Sequence, residues 1–256
     1  MPRDDIYTIL ERKVEALRKR DKDTEDRKVI DEVFNKDTLL SVYKLMKDDV
    51  IDTVEFTIST GKEGNVFMAT DPDGGLLALK IFRISTSTFK RLSRYIEGDP
   101  RFRGILGSHR KMIFAWTSKE FRNLQRLYAA GLRVPKPLAF HRNLLAMEYI
   151  GDEDSPSPIM KEVVLDDPCE TYEELVEFVI LAYQKAGLVH GDLSEYNVLM
   201  DGDRPVIIDC GQALLKEHPN AIDFLERDVK NLNRYFRRLG VEVIDPEKMV
   251  KMVVGG

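Results

Sequence analysis

Between residues 189 and 211 the sequence leaves the chain little choice of path. A loop, Val189-His190-Gly191-Asp192-Leu193-Ser194-Glu195-Tyr196-Asn197, runs into a short apolar stretch, Val198–Met200. Asp201-Gly202-Asp203 follows, and a second apolar stretch, Pro205–Ile208, ends at Asp209. Two short apolar runs around an Asp-Gly turn predict a β-hairpin. The interval from Asn197 to Asp209 is just enough for one hairpin, which returns Asp209 beside Asn197. Before the loop lies Thr171–Ala186, a long apolar helix with Gly187 as its stop.

The rest of the chain divides into a strand-rich front and a helical back. Residues 4–20 and 24–47 read as amphipathic helices, the first through Ile6, Ile9, Leu10, Val14 and Leu17, the second through Leu39, Leu40, Tyr43 and Leu45-Met46. Strands are predicted at Val54–Ser59, Asn65–Thr70 and Leu76–Phe82, the last two joined by the turn Asp71-Pro72-Asp73-Gly74-Gly75. Thr117–Ala130 reads as a helix opened by a Thr117-x-x-Glu120 capping box and closed by Gly131. Strands at Lys136–Phe140 and Leu144–Tyr149 end at Gly151, and Gly151–Pro158 reads as a linker. Helices over Ala221–Leu239 and Pro246–Val253 close the sequence. Segregated elements of this kind predict an α+β fold of two lobes. At 256 residues and 43% hydrophobic the chain has enough apolar material for that core, which excludes a wholly disordered chain.

Four groups of residues suit phosphoryl chemistry, and they occur in one order. The first is Ser59-Thr60-Gly61-Lys62-Glu63-Gly64-Asn65-Val66, between two strands. Glycines there let backbone N–H groups approach phosphate oxygens, although two glycines three apart also make an ordinary tight turn. The second is Lys80 in Leu77-Ala78-Leu79-Lys80. A lysine amid apolar strand residues either snorkels to water or meets an anion, and Glu120 is the candidate carboxylate. The third is Asp192 followed by Asn197: the Asp orients an attacking hydroxyl, and the Asn amide oxygen ligates a hard Mg²⁺ ion. The fourth is Asp209 in Ile207-Ile208-Asp209-Cys210-Gly211, a second metal ligand at the mouth of a buried strand.

Taken together these residues resemble the protein-kinase signature set. The S-T-G-K-E-G-N-V loop, HGDLSEYN and IDCGQ resemble the RIO family of atypical serine/threonine kinases, and within it the Rio1-type subgroup. The resemblance implies a bilobal protein-kinase-like fold: a helical extension over 1–48, an antiparallel-sheet lobe with its hinge over 49–150, and a mainly helical lobe over 151–256. It implies ATP with Mg²⁺ or Mn²⁺, the loop residues Ser59, Gly61, Lys62, Glu63 and Gly64 lying over the nucleotide. Val66, Ala78 and Ile208 would line the adenine, and Met147, Glu148 and Ile150 would form the hinge. Lys80, held by Glu120, would steady the phosphates; Asn197 and Asp209 would hold the metal, and Asp192 would orient the acceptor. Serine autophosphorylation, ATP hydrolysis through a phosphate on Asp209, and a role in small ribosomal subunit maturation are implied as well. The departures from ordinary kinases are specific: Ser59 replaces the first glycine, His190-Gly191-Asp192 lacks the arginine, and no A-P-E follows Asp209. The platform that ordinary kinases use for peptide substrates is therefore not expected.

Charge adds a candidate partner surface. The net charge is −5, yet residues 83–112 hold Arg83, Lys90, Arg91, Arg94, Arg101, Arg103, Arg110 and Lys111 against Glu97 and Asp99. This stretch is +6 and the remainder −11. It reads as a mobile basic loop; the RIO resemblance implies that it touches rRNA phosphates or carries the autophosphorylated Ser or Thr (Ser85, Thr86, Ser87, Thr88, Ser93 or Ser108), and a solvated insertion is the other reading. No apolar run approaches a membrane span, the start lacks a secretory h-region, and the two cysteines suit a reducing cytoplasm. Two other functions fit the same residues: a small-molecule phosphotransferase of the aminoglycoside or choline kinase type, and a nucleotide-gated assembly factor.

Overall fold

A computed structural model describes residues 33–61, 64–84 and 108–255. The helix expected over 4–20, most of the basic stretch and the loop residues Lys62 and Glu63 lie outside these. The described residues form two compact units, one holding 33–84, 108–118 and 137–149, the other 119–136 and 150–255.

Among the described residues the first unit holds a five-stranded antiparallel sheet, with helix α1 (Lys36–Lys47) packed on it. Asn35 caps α1 by accepting the Thr38 N–H at 3.1 Å, so the helical run expected over 24–47 is broken there. The strands are β1 (Thr53–Thr60), β2 (Gly64–Thr70), β3 (Leu76–Phe82), β4 (Pro137–His141) and β5 (Leu144–Glu148), in spatial order β1-β2-β3-β5-β4. Alternation gives the sheet two different faces. Phe67 and Ala69, Leu77, Leu79 and Ile81, and Leu144 and Ala146 all point one way and bury against Val33, Phe34, Leu39, Val42 and Leu45. The Phe34 ring meets the Phe67 ring edge-on at 5.1 Å. The opposite face carries Val66, Met68, Ala78, Lys80, Leu145 and Met147.

The second unit is mainly helical. It contains α3 (Pro168–Gln184), α4 (Ala221–Arg238) and α5 (Pro246–Val254). Both α3 and α5 start at an Asp-Pro pair. Asp167 accepts from Cys169 and Glu170 N–H, Asp245 from Glu247 and Lys248 N–H, and the proline fills the first helical position. That cap starts α3 three residues before the expected Thr171. Tyr172 and Phe236 rings pack at 5.2 Å, and Leu175, Phe178, Val229 and Met249 of the three helices are buried. Two small sheets complete the unit: β6 (Leu188–Val189) with β9 (Leu214–Leu215), and the hairpin β7 (Val198–Asp201) with β8 (Arg204–Ile207).

Two local expectations are corrected. Helix α2 spans His109–Ala129 and begins eight residues before Thr117. The Thr117 hydroxyl donates to the Ile113 carbonyl inside the helix, so Thr117-x-x-Glu120 is not a capping box there. The early start follows from burial: Met112, Ile113 and Trp116 are each 1% exposed, and they draw residues 109–112 of the basic stretch into the helix. Gly151–Pro158, expected as a linker, is a hydrogen-bonded turn. Asp152 accepts from the Asp154 and Ser155 N–H groups, and Ser157 N–H donates to Ile150 O at 2.9 Å.

Candidate active site

The sheet unit gathers one group of candidate residues by register alone. Ser59 pairs with Val66, Val66 with Lys80, and Lys80 with Leu145, which makes one cross-strand row. Met68, Ala78 and Met147 make the next row. Val66, Ala78, Lys80 and Met147 thus share the face that α1 does not cover, and Glu148 ends β5 opposite Leu77. The Lys80 ammonium lies 5.0 Å from the centre of the Phe82 ring, within cation–π range.

The glycines of the β1–β2 turn are required by the protein's own backbone. A Cβ on Gly64 would stand 2.6 Å from the Ile81 carbonyl oxygen, and one on Gly61 would stand 3.0 Å from the Gly64 oxygen. The Gly61 N–H closes the turn on Gly64 O at 2.9 Å. Tight approach of β3 therefore accounts for Gly64, whether or not a phosphate lies nearby.

In the second unit the hairpin does what its length predicts. Val198 pairs with Ile207, and Ile208 N–H donates to Asn197 O at 2.9 Å, which puts Asp209 one residue from the chain at Asn197. The Asn197 amide nitrogen donates to the Asp192 carbonyl at 2.8 Å, leaving the amide oxygen as the end able to face a cation. His190 Nε2 lies 3.3 Å from Ile208 O, and burial holds the imidazole below its ordinary pKa. Burial raises the Asp192 carboxyl above the usual carboxylate range; the Arg227 guanidinium opposes that rise.

The groups that hold Asp192 in place come from α4, and the sequence alone did not point to them. Asp228 is 1% exposed; its carboxylate accepts the Gly191 N–H at 2.6 Å and the Leu193 N–H at 2.9 Å. Arg227 donates to the Gly191 carbonyl, and Asn231 to that of Leu193. Gly191 takes φ +79°, and a Cβ there would meet Gln212 O at 3.2 Å, so the loop passes where only glycine fits easily. A signal for Asp228 was present. It falls in register with the buried Leu225, Val229, Leu232 and Phe236, and a carboxylate on an apolar helix face needs a donor.

Glu120 is on α2 and 1% exposed, and Ile150 is buried at the start of the second unit's long segment. Among the described residues no group of three or more His, Cys, Asp or Glu side chains converges on one point. The donor set of Asn197 and Asp209, one amide and one carboxylate oxygen, nevertheless suits Mg²⁺. That ion usually takes one or two protein oxygens and completes its shell with water and phosphate.

Comparison with known proteins decides the family. The RIO domain model matches residues 65–249, and the chain is 43% identical over 252 residues to the RIO-type serine/threonine-protein kinase Rio1 of Haloferax volcanii. The chain belongs to the RIO family, in its Rio1 group. That relative is matched over 98% of this chain and 86% of its own length. The Rio1 of Methanocaldococcus jannaschii is 38% identical, matched over 89% of this chain and 78% of the relative. The human serine/threonine-protein kinase RIO1 is 37% identical over 94% of this chain, which spans only 43% of the human protein. Among solved structures, the Rio2 kinase–ADP/Mg²⁺–phosphoaspartate complex from Chaetomium thermophilum superposes with a TM-score of 0.66 at 27% identity. It matches 84% of this chain and 65% of that one. The RIO kinase fold, an antiparallel sheet with helices in an α+β arrangement, is thus the fold of this chain.

Proposed function

We propose that this RIO chain is an ATP- and Mg²⁺-dependent atypical serine/threonine protein kinase that also hydrolyses ATP. The observation that carries this reading is the bond from Ile208 N–H to Asn197 O, which keeps the amide of Asn197 and the carboxylate of Asp209 on adjacent stretches of chain beside Asp192. Ser59, Gly61, Lys62, Glu63 and Gly64 lie over the nucleotide, Val66, Ala78 and Ile208 contact adenine, and Met147, Glu148 and Ile150 supply the hinge. Lys80, paired with Glu120, steadies the phosphates. Asn197 and Asp209 hold Mg²⁺, which supplies neutralisation of charge on the transferring group. Asp192 orients the serine hydroxyl and takes its proton as the oxygen–phosphorus bond forms and ADP departs.

One neighbour favours a second product of the same site. The Rio2 complex is described with a phosphoaspartate, and Asp209 is the corresponding acceptor proposed here. Its carboxylate oxygen attacks the γ-phosphorus, ADP leaves, and water later releases phosphate. The setting we assign is cytoplasmic maturation of the small ribosomal subunit, with 83–112 meeting rRNA phosphates. Among the described residues no helix is long and apolar enough to cross a membrane. Incubation with labelled ATP and Mg²⁺ or Mn²⁺ tests the whole reading: acid-stable phosphoserine and hydroxylamine-labile aspartyl-phosphate are the expected products. Formation of neither overturns it, and transfer to free aminoglycosides or choline in their place selects the small-molecule phosphotransferase.

A further inference from the structure

Two side chains one turn apart on α2 close on the backbone that carries Asp209. The Lys119 ammonium donates to the Gly211 carbonyl at 2.8 Å, and the Asn123 amide donates to the carbonyls of Cys210 and Ala213 at 2.8 and 3.1 Å. Both side chains are buried, at 2% and 0% exposure. The three captured carbonyls belong to the 3-10 turn Cys210–Gln212 and the residue that follows it.

The residue just before that turn is strained. Asp209 has φ 59° and ψ 56°, the left-handed region that non-glycine residues hold only when their surroundings over-determine it. Its side chain makes no cap bond to the turn it precedes. Held carbonyls at 210, 211 and 213 anchor the chain that follows Asp209 and so restrict the direction of its Cα–Cβ bond. Burying a lysine side chain so deeply is a costly way to fill space that methionine would fill without a charge. The positions at i and i+4 on one helix face suit a two-point grip.

We propose that Lys119 and Asn123 are positioning residues for the metal end of the site, holding Asp209 in the left-handed conformation that aims its carboxylate. The proposal rests on the reading that Asp209 ligates the metal of the nucleotide. It adds a set of outer hydrogen bonds to that ligand, a kind of support whose loss ordinarily weakens metal affinity by about 10- to 100-fold.

The test measures Mn²⁺ binding directly, from the electron paramagnetic resonance signal of free Mn²⁺ titrated into the full chain with ADP. Asn123→Leu, which keeps the bulk and loses the donor, is expected to raise the Mn²⁺ dissociation constant by about tenfold. Metal-free ADP affinity is expected to stay within about twofold, since the nucleotide's other contacts remain. Asp209→Asn is expected to raise the Mn²⁺ constant too, and adding Asn123→Leu to it is expected to change nothing further, because Asn123 acts through Asp209. A general loosening of the unit would instead multiply the two effects, and that result overturns the proposal. So does a folded Asn123→Leu chain that binds Mn²⁺ as the wild type does. If Asn123→Leu does not fold, Asn123→Asp and Lys119→Arg carry the same comparison: the first is expected to weaken Mn²⁺ binding, and the second, which keeps a donor, to retain it. Equal behaviour of those two overturns the proposal. Unchanged Mn²⁺ binding by Asp209→Asn overturns the ligand reading itself, and the positioning role with it.

Discussion

Asp228 holds Gly191 from below the loop that bears Asp192: its carboxylate takes the Gly191 N–H at 2.6 Å while Arg227, its neighbour on α4, takes the carbonyl of the same glycine. One peptide unit on each side of Gly191 is therefore fixed by consecutive helix residues, and the candidate acceptor-orienting carboxylate is next in the chain.

Replacing Asp228 by Ala leaves the Gly191 and Leu193 N–H groups buried without an acceptor. Each such loss costs about 1–3 kcal/mol. Urea unfolding is expected to show a destabilisation of about 2–6 kcal/mol, and phosphoryl transfer to fall by more than the folded fraction explains.

The same carboxyl gives stability a pH dependence. Burial pushes the Asp228 pKa up from 3.8 to about 7, against the pull of the Gly191 and Leu193 hydrogen bonds. Between these values the folded chain keeps a proton that the unfolded chain has lost, so this contribution falls as pH rises from about 4 to 7 and is flat above. Asp228→Asn is expected to flatten that part of the stability profile, measured by urea midpoints at about pH 5 and 7.5. An unchanged slope would assign it to other groups.

Lys80→Met and Asp192→Ala are expected to lower phosphoryl transfer by about 10²–10⁴-fold with unchanged melting temperatures. Lys80 lies on the sheet face that α1 leaves uncovered, and the bonds that hold the loop at Gly191 and Leu193 do not use the Asp192 carboxylate, so neither change opens a core. Single-turnover assays with saturating ATP check this.

Gly64→Ala is expected to destabilise by about 1–3 kcal/mol, because the new methyl meets Ile81 O at 2.6 Å and a strand must shift. Gly61→Ala, at 3.0 Å from Gly64 O, is expected to cost less. Thermal melts of the two variants rank them.

Deletion within 83–112 tests the rRNA interaction. If the basic residues neutralise RNA phosphates, the slope of log affinity against log salt is expected to become shallower by about 0.7 for each phosphate no longer neutralised. An equal slope assigns RNA binding, if any, to another surface.

Much of this chain was legible because its signals are local. The turns Asp71–Gly75 and Asp201–Asp203 announce their hairpins, and strand β3 has the bounds its apolar run predicts. The conjunction of Asn197 and Asp209 follows from hairpin length alone. What escaped has partners far along the chain. Lys119 and Asn123 serve carbonyls about 90 residues away, and Asp228 serves N–H groups 35 and 37 residues away, distances that no periodicity encodes. The start of α2 was hidden for another reason. Arg110 and Lys111 in its first turn suggested a solvated loop, and Arg110 instead pairs with Asp37 of α1.

The two-faced sheet also behaves like a reading frame. Along β3 the residues that fill the core and those that face the candidate nucleotide site alternate strictly, Leu79 with Lys80 and Leu77 with Ala78. One residue inserted just before Leu77 would exchange the two sets at a stroke, sending lysine into the core and leucine to the site. Length variation among relatives is accordingly expected at the Asp71–Gly75 turn and not within the strands, so an alignment gap inside β3 would mark an error of alignment before it marked a change of function.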